Sequence, residues 1–214
     1  MLSTRLASPR LLLVLALGAL TPACADPSSQ FDDFVARSPP PAPPGDCPEA
    51  YIAPQAGEID GAFFQTLLTS VNIKKPLFLL TTVTTEAQES GLGLAISLQP
   101  LDKRDRRTPV GDPIAVPAVP VGEDGKFKIE ITGMTILAAA NSLAPANATA
   151  DVNYDGNLCG NGSFICGDVS GSASALGQTF DLSGSTFTFQ RVTDPESYPE
   201  PLLDCEQTPF VPAM

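Results

Sequence analysis

Short segments that alternate apolar and polar residues, separated by turn-forming residues, constrain the fold of this chain most strongly. The clearest is 126–131, which alternates without interruption and places Phe127, Ile129 and Ile131 on one face. Alternation with a period of two is typical of a β-strand that buries one face. The 22 prolines and 17 glycines disfavour a helical bundle and suit a turn-rich, all-β chain. Similar strand patterns occur at 77–85, 92–98, 148–154 and 186–191.

Two further segments are less clear. Residues 63–71 fit either a strand or a helical stripe, and we favour a strand because the threonines and serine there are poor helix formers. Residues 113–121 contain Pro117 and Pro120, which lack the N–H groups that a central strand needs. We therefore expect this segment to form an edge strand or an extended loop.

Turn signals join the segments closely along the chain. Residues 123–125 (EDG) and 155–156 (DG) are hairpin signals. We count seven or eight strands between residues 58 and 192, connected mostly in sequence order. This pattern predicts an all-β fold, either a single antiparallel β-sandwich or a small up-and-down β-barrel.

The sequence lacks residue types that many catalytic sites use. It contains no His, which excludes Ser-His and Cys-His nucleophile pairs and zinc sites with His ligands. The serines occur in no Gly-x-Ser-x-Gly motif. We therefore expect no enzymatic activity, no cofactor and no catalytic metal. The acidic residues that could form a catalytic pair fall in linker, turn or tail segments: Asp32, Asp33, Asp102, Asp112, Glu123, Asp124 and Glu196.

The chain is strongly acidic. Twelve Lys and Arg residues against 24 Asp and Glu residues give a formal charge of −12, which repels phosphate backbones and disfavours nucleic-acid binding. Residues 103–107 (KRDRR) form a basic cluster in a predicted loop. The cluster could contact an anionic headgroup or a sugar phosphate. Alternatively, it is a solvated hairpin tip that protects a sheet edge.

Residues 1–25 have the pattern of an export signal. Arg5 and Arg10 precede an apolar run of ten residues at 11–20, which is too short to cross a bilayer of ~30 Å as a helix. The signal would be removed from the mature protein, so it is excluded from the fold.

The end of this segment, residues 20–24 (LTPAC), resembles the lipobox of bacterial lipoproteins. The resemblance implies cleavage before Cys24, lipidation of Cys24 and anchoring to a bacterial membrane through that lipid. The alternative is cleavage after Ala25, because residues 23–25 form a small-x-small site for ordinary secretion.

The chain after the signal divides into three parts. Residues 26–46 form a linker, and six of the 11 residues at 38–48 are proline, which favours an extended polyproline II spacer. We expect a β domain at 47–192 and an extended, proline-rich tail at 193–214 that crosses the domain.

Four cysteines remain after the signal is removed: Cys47, Cys159, Cys166 and Cys205. An even number indicates disulfides and an oxidising compartment. A hairpin centred on 162–163 would place Cys159 opposite Cys166, which leaves Cys47 to pair with Cys205. We therefore predict these two disulfides, the second joining the start of the domain to its tail.

A calcium-like pattern occurs at 151–156. Asp151, Asn153 and Asp155 alternate and are followed by Gly156, as in the first half of an EF-hand loop, but position twelve is Gly162 where such loops need Glu. We favour a polar strand face that ends in a hairpin and leave calcium binding as the alternative.

These observations favour an exported, lipid-anchored cell-envelope protein with a non-catalytic structural or recognition role and an unidentified envelope or extracellular partner. The alternative is a β-barrel that binds a small apolar ligand. Ala148 and Ala150, facing Phe127 and Phe187, could leave internal room for it.

Overall fold

A computed structural model of the protein describes residues 47–89 and 91–212. The predicted signal, Cys24 and the linker at 26–46 lie outside the described residues. The described part contains nine strands and no helix, so no helix in it could cross a membrane. The strands are β1 (Gly61–Leu68), β2 (Leu77–Gln88), β3 (Gly91–Pro100), β4 (Ile114–Val121), β5 (Lys126–Ile136), β6 (Ala148–Cys159), β7 (Phe164–Ala175), β8 (Gln178–Asp181) and β9 (Ser185–Arg191).

All the ladders are antiparallel, and the strands follow the order β4-β3-β2-β1-β9-β7-β6-β5. Strands β1 to β4 and strands β5 to β7 each pair in chain order, whereas β9 lies between β7 and β1 and pairs with both. The two end strands, β4 and β5, are connected by a tight turn in which the Gly122 N–H donates to the carbonyl of Lys126 (2.8 Å). The sheet is therefore nearly closed and barrel-like, and the predicted all-β class is confirmed.

The ring stays open between β4 and β5, which form no ladder among the described residues. Pro117 and Pro120 lie in β4 and have no N–H to donate, so β4 is an edge strand, as predicted. The strand number is nine rather than seven or eight. Two strands have no counterpart among the strand segments named from the sequence: β7, which only the predicted hairpin at 162–163 implied, and β8, a four-residue strand that pairs only with β7 and is largely exposed.

A single hydrophobic core fills the interior, and each of the eight strands on the path contributes to it. The predicted inward face of β5 is buried, with Phe127, Ile129 and Ile131 each at most 7% exposed. The strand interpretation of 63–71 is also confirmed, since β1 covers Gly61–Leu68. Burial of one face on strands such as β3, β5 and β6 explains why the alternating pattern predicted the all-β class.

A buried chain of polar side chains crosses this core. Gln65 on β1 donates from Nε2 to the hydroxyl of Tyr154 on β6 (3.2 Å) and accepts from the hydroxyl of Thr81 on β2 (2.7 Å). All three side chains are buried, and a buried polar group without a partner is destabilising. The hydrogen bonds therefore allow three polar residues to lie inside an apolar barrel.

The C-terminal tail packs on the outside of β9. The outward hydroxyls of Thr186 and Thr188 donate to the carbonyls of Leu203 and Leu202, both at 2.7 Å, and Gln190 donates to the carbonyl of Glu200 (2.9 Å). Alternate residues on β9 thus hydrogen-bond to consecutive parts of the tail, which explains why a proline-rich segment runs extended across the domain.

Two disulfides join the ends of the domain to its strands, but with a different pairing from the predicted one. Cys47 bonds to Cys159, and Cys166 bonds to Cys205. The hairpin between β6 and β7 is centred one residue earlier than predicted, so Cys159 lies opposite Phe164, and Cys166 lies opposite Asn157. The predicted partners are therefore diagonal neighbours, whose Cα atoms are about 7–8 Å apart, too far for an ordinary disulfide.

Candidate functional site

A basic pocket lies on the outer surface near the β1–β2, β3–β4 and β5–β6 connections. Its volume is about 370 Å³. Six of the nine Lys and Arg residues in the described ranges come from the first two connections: Lys74, Lys75, Lys103, Arg104, Arg106 and Arg107. Four of these six line the pocket: Lys74, Lys75, Lys103 and Arg106.

Three connections form the pocket because side chains tie them together. The Nζ of Lys103 donates to the carbonyls of Ala138 (2.8 Å) and Asn141 (2.9 Å) in the β5–β6 connection. The hydroxyl of Ser142 in that connection donates to the carbonyl of Lys75 (2.7 Å). The positions of the cations are therefore set by hydrogen bonds between loops as well as by the strands.

Arg106 lies on an aromatic surface. Its guanidinium carbon is 4.7 Å from the ring centre of Phe78 on β2 and 5.2 Å from that of Phe210 in the tail. The residue adopts a left-handed backbone conformation, with φ at 58°, which is uncommon for an arginine. The Arg106 N–H donates to the carbonyl of Asp102 (2.7 Å), which supports this conformation.

The acidic residues of the same loop form no ion pair with these cations among the described residues. Asp102 accepts from the backbone N–H of Arg104 (2.8 Å), and Asp105 accepts from the N–H groups of Arg107 (2.9 Å) and Thr108 (3.0 Å). The hydroxyl of Thr108, together with these N–H groups, lowers the pKa of Asp105 to about 2. Their carboxylates therefore stabilise the turn, and no described carboxylate lines the pocket.

The predicted calcium pattern lies on the outer face of β6 and does not form a loop. Asp151 accepts from the N–H of Gly133 (2.7 Å), and Asp155 forms an ion pair with Lys128 (2.6 Å). Because alternate residues on a strand are about 6.7 Å apart, Asp151, Asn153 and Asp155 cannot surround one cation. The predicted hairpin at 155–156 is wrong, since β6 continues to Cys159.

Asp155 also faces a second carboxylate across the sheet, Asp168 on β7. Burial raises the pKa of Asp168, and the negative charge of Asp155 raises it further. The ion pair between Lys128 and Asp155 offsets part of this repulsion, so the polar face is a network of surface charges along three neighbouring strands.

The barrel interior contains a small cavity at the place where the sequence predicted room. Ala148, Ala150 and Ala173 line it, but its volume is only about 40 Å³. Binding sites for small molecules usually measure roughly 300–1,000 Å³. The cavity therefore gives no support to the alternative of an enclosed apolar ligand.

The four sulfurs cluster at one end of the β6–β7 hairpin. Those of Cys47, Cys159 and Cys166 lie within 4.8 Å of one another, a spacing that could suit a metal ion. All four cysteines are disulfide-bonded, however, and metal binding needs thiolates. The cluster is therefore a structural element of the oxidised protein.

The sequence pattern indicated only part of the basic pocket. It singled out the cluster at 103–107, but not Lys74 and Lys75, which are distant in the chain, nor Phe78 and Phe210, on which Arg106 lies. The adjacent lysines at 74–75 are a second local concentration of positive charge in the sequence, and they could have indicated a further part of the pocket. Cys24 lies outside the described residues.

No protein-family model, no curated protein and no solved structure matches this chain. The proposals below therefore depend on the chemistry and geometry of its own residues.

Proposed function

We propose that this protein is exported, carries a lipid on Cys24, and serves a non-catalytic recognition role at the cell envelope. The observation that carries the proposal is the pair of disulfides that join both ends of the β domain to the β6–β7 hairpin. Disulfides persist in oxidising compartments and are rare in the cytosol. The resemblance of residues 20–24 to a lipobox supports lipid anchoring.

The recognition role is supported by the distribution of functional groups. The sequence contains no His, and two of the acidic residues considered as a catalytic pair, Asp102 and Asp124, accept hydrogen bonds from backbone N–H groups of their own loops. The basic pocket, by contrast, presents several cations that have no carboxylate partner within the described ranges. Such an arrangement suits binding rather than catalysis.

The intact mass of the mature protein tests the proposal. The protein is expressed from the full chain in a bacterial host, purified from the membrane fraction and measured without reductant. We expect the mass of residues 24–214 plus a diacylglyceryl group, with no reaction of Cys47, Cys159, Cys166 or Cys205 toward an alkylating reagent.

Cys24→Ser is the control. We expect this variant to lose the lipid mass and its membrane association while it retains both disulfides. A mature wild-type chain that starts at Asp26 without lipid would support the secreted alternative and overturn the anchor. Free thiols at the four later cysteines of the wild-type protein would overturn the proposal of export.

A further inference from the structure

We propose that the basic pocket binds the phosphate group of a small organic phosphate. This inference rests on the proposed recognition function and names its ligand class. The phosphate could belong to a free sugar or polyol phosphate or to a lipid headgroup, since the chemistry that the pocket recognises is the same in both.

The local charge of the pocket favours an anionic ligand. The chain carries a formal charge of −12, yet the pocket is lined by Lys74, Lys75, Lys103 and Arg106 and, among the described residues, by no carboxylate. Four cations that converge on one concave site repel one another, and an anion of charge −1 or −2 relieves that repulsion. The acids nearest in the chain, Asp102 and Asp105, direct their carboxylates at backbone N–H groups of their own loop and form no ion pair with a pocket cation among the described residues.

The Arg106 side chain is held over two aromatic rings. Its guanidinium carbon lies 4.7 Å from the ring centre of Phe78 and 5.2 Å from that of Phe210, and a cation held over ring faces needs no hydrogen bond from its N–H donors, which stay available to a ligand. The two N–H groups of a guanidinium edge match two oxygens of a phosphate and form a bidentate pair. No hydrogen bond from the Arg106 side chain to another described residue competes with that pairing.

The ammonium group of Lys103 is held in place at the pocket wall. An ammonium group has three donors, and Lys103 uses two of them on the carbonyls of Ala138 and Asn141. One donor and the full positive charge remain. Because both carbonyls belong to the β5–β6 connection, the charge is fixed at the pocket wall instead of moving freely in solvent.

The size and lining of the pocket define the rest of the ligand. A volume of about 370 Å³ accommodates a phosphate together with a group of sugar or polyol size. Phe78, Leu143, Pro145 and Phe210 add apolar surface beside the cations. Inorganic phosphate alone would leave most of this surface without contacts, which is why we infer an organic phosphate.

Isothermal titration calorimetry of the purified exported protein tests the inference with three probes. Glycerol 3-phosphate represents a free phosphomonoester, glycerophosphoglycerol represents the deacylated headgroup of phosphatidylglycerol, and glycerol is the uncharged control. We expect one or both phosphates to bind and glycerol not to bind. Binding of the monoester alone identifies a free metabolite as the source of the phosphate, and binding of the diester identifies a lipid headgroup.

Arg106→Gln and Arg104→Gln form a matched pair. Both remove one positive charge from the same loop, but only Arg106 lines the pocket. Because a hydrogen bond to a charged group contributes roughly 1.5–3 kcal/mol, Arg106→Gln should weaken binding at least about tenfold. Arg104→Gln should weaken it less than about threefold, the range of a screened surface charge.

A second pair keeps the test valid if Arg106→Gln unfolds the loop. Lys75→Gln removes an exposed cation of the pocket, and Lys126→Gln removes an exposed cation outside it. Only Lys75→Gln should weaken binding. Equal losses for Arg106→Gln and Arg104→Gln, or for Lys75→Gln and Lys126→Gln, would mean that the overall field attracts the anion and would overturn the site.

The same preparation distinguishes this inference from the proposed function. If its mass shows the lipid on Cys24 but neither phosphate binds, the phosphate site is wrong while export and anchoring stand. If the mass shows no lipid and the phosphates still bind with the expected variant pattern, the site stands and the anchor is wrong.

Discussion

Cys159 and Cys166 belong to different disulfides, yet their sulfur atoms lie only 3.5 Å apart. The contact arises because both residues point to the same side of the β6–β7 hairpin, two positions out of register. The strand register therefore determines the disulfide partners. Cys159 and Cys166 do not bond to each other, and each forms its disulfide with a cysteine from outside the hairpin. The loops that the bonds close span 112 and 39 residues. On the chain-entropy model they contribute about 5 and about 4 kcal/mol.

If register determines the pairing, the predicted Cys159–Cys166 bond should not form even when both thiols are free. We expect the double variant Cys47→Ser/Cys205→Ser to retain two thiols after air oxidation, because diagonal Cα atoms are too far apart. Peptide mapping after alkylation in denaturant counts the free thiols. The single variant Cys47→Ser should keep Cys166–Cys205. A Cys159–Cys166 bond in either protein would show that the hairpin adjusts to the sulfurs.

The second disulfide should control the accessibility of the tail. We expect Cys166→Ala/Cys205→Ala to be cleaved faster by a glutamyl endopeptidase at Glu196 and Glu206, because only hydrogen bonds and apolar contacts would then tether the tail to β9. The matched variant Cys47→Ala/Cys159→Ala keeps Cys166–Cys205 and should stay protected at these sites. Mass spectrometry of the early fragments measures the difference, and equal protection of both variants would contradict the tethering role.

Gly167 on β7 should not tolerate a side chain. A Cβ there would lie 2.0 Å from the backbone oxygen of Asp155 on β6, so the backbone must shift. We expect Gly167→Ala to lower the free energy of unfolding by about 1–3 kcal/mol, as overpacking does. Ser170→Ala, three residues along the same strand and partly exposed, should change it by less than about 0.5 kcal/mol. Urea denaturation of both variants provides the comparison, which a neutral Gly167→Ala would contradict.

Tyr154 should make stability depend on alkaline pH. Burial raises the pKa of Tyr154 to about 12, although the hydrogen bond from Gln65 lowers it slightly. In the unfolded chain the phenol ionises near its ordinary pKa of 10, so its contribution to stability is complete below pH 10 and is lost as the pH rises toward 12.

The variant Tyr154→Phe isolates this effect. At pH 7 it should be less stable by about 1–3 kcal/mol, because Gln65 loses the buried acceptor of its Nε2 group. That difference from the wild type should shrink between pH 10 and pH 12 in denaturation experiments. A difference that stays constant over this range would contradict the raised pKa of Tyr154.

The local pattern was sufficient to predict most of the strands that bury one face, but not the short exposed strand β8. Alternation at 126–131, 92–98 and 148–154 identified the buried face of each strand, because burial on one side requires an apolar residue at every second position. Pro117 and Pro120 identified β4 as an edge strand for an equally local reason, the missing N–H groups.

The candidate site was less predictable because it depends on contacts between distant residues. Residues 103–107 were recognised as a basic loop, but the rings under Arg106 come from β2 and from the tail. Nothing near Arg106 in the chain indicates that Phe78 and Phe210 are its neighbours. The same holds for the buried hydrogen bonds that link Gln65, Tyr154 and Thr81, because the partner of each side chain lies on another strand.

By itself the sequence determined the all-β class, the inward faces and the edge position of β4, since these follow from the period and the hydrogen-bonding capacity of short segments. Only the tertiary structure decided the disulfide partners and the assembly of the basic pocket. A shift of one residue in the centre of the β6–β7 hairpin moves the facing partner of Cys159 by two positions. That centre is fixed by packing across the whole sheet, which local composition does not encode.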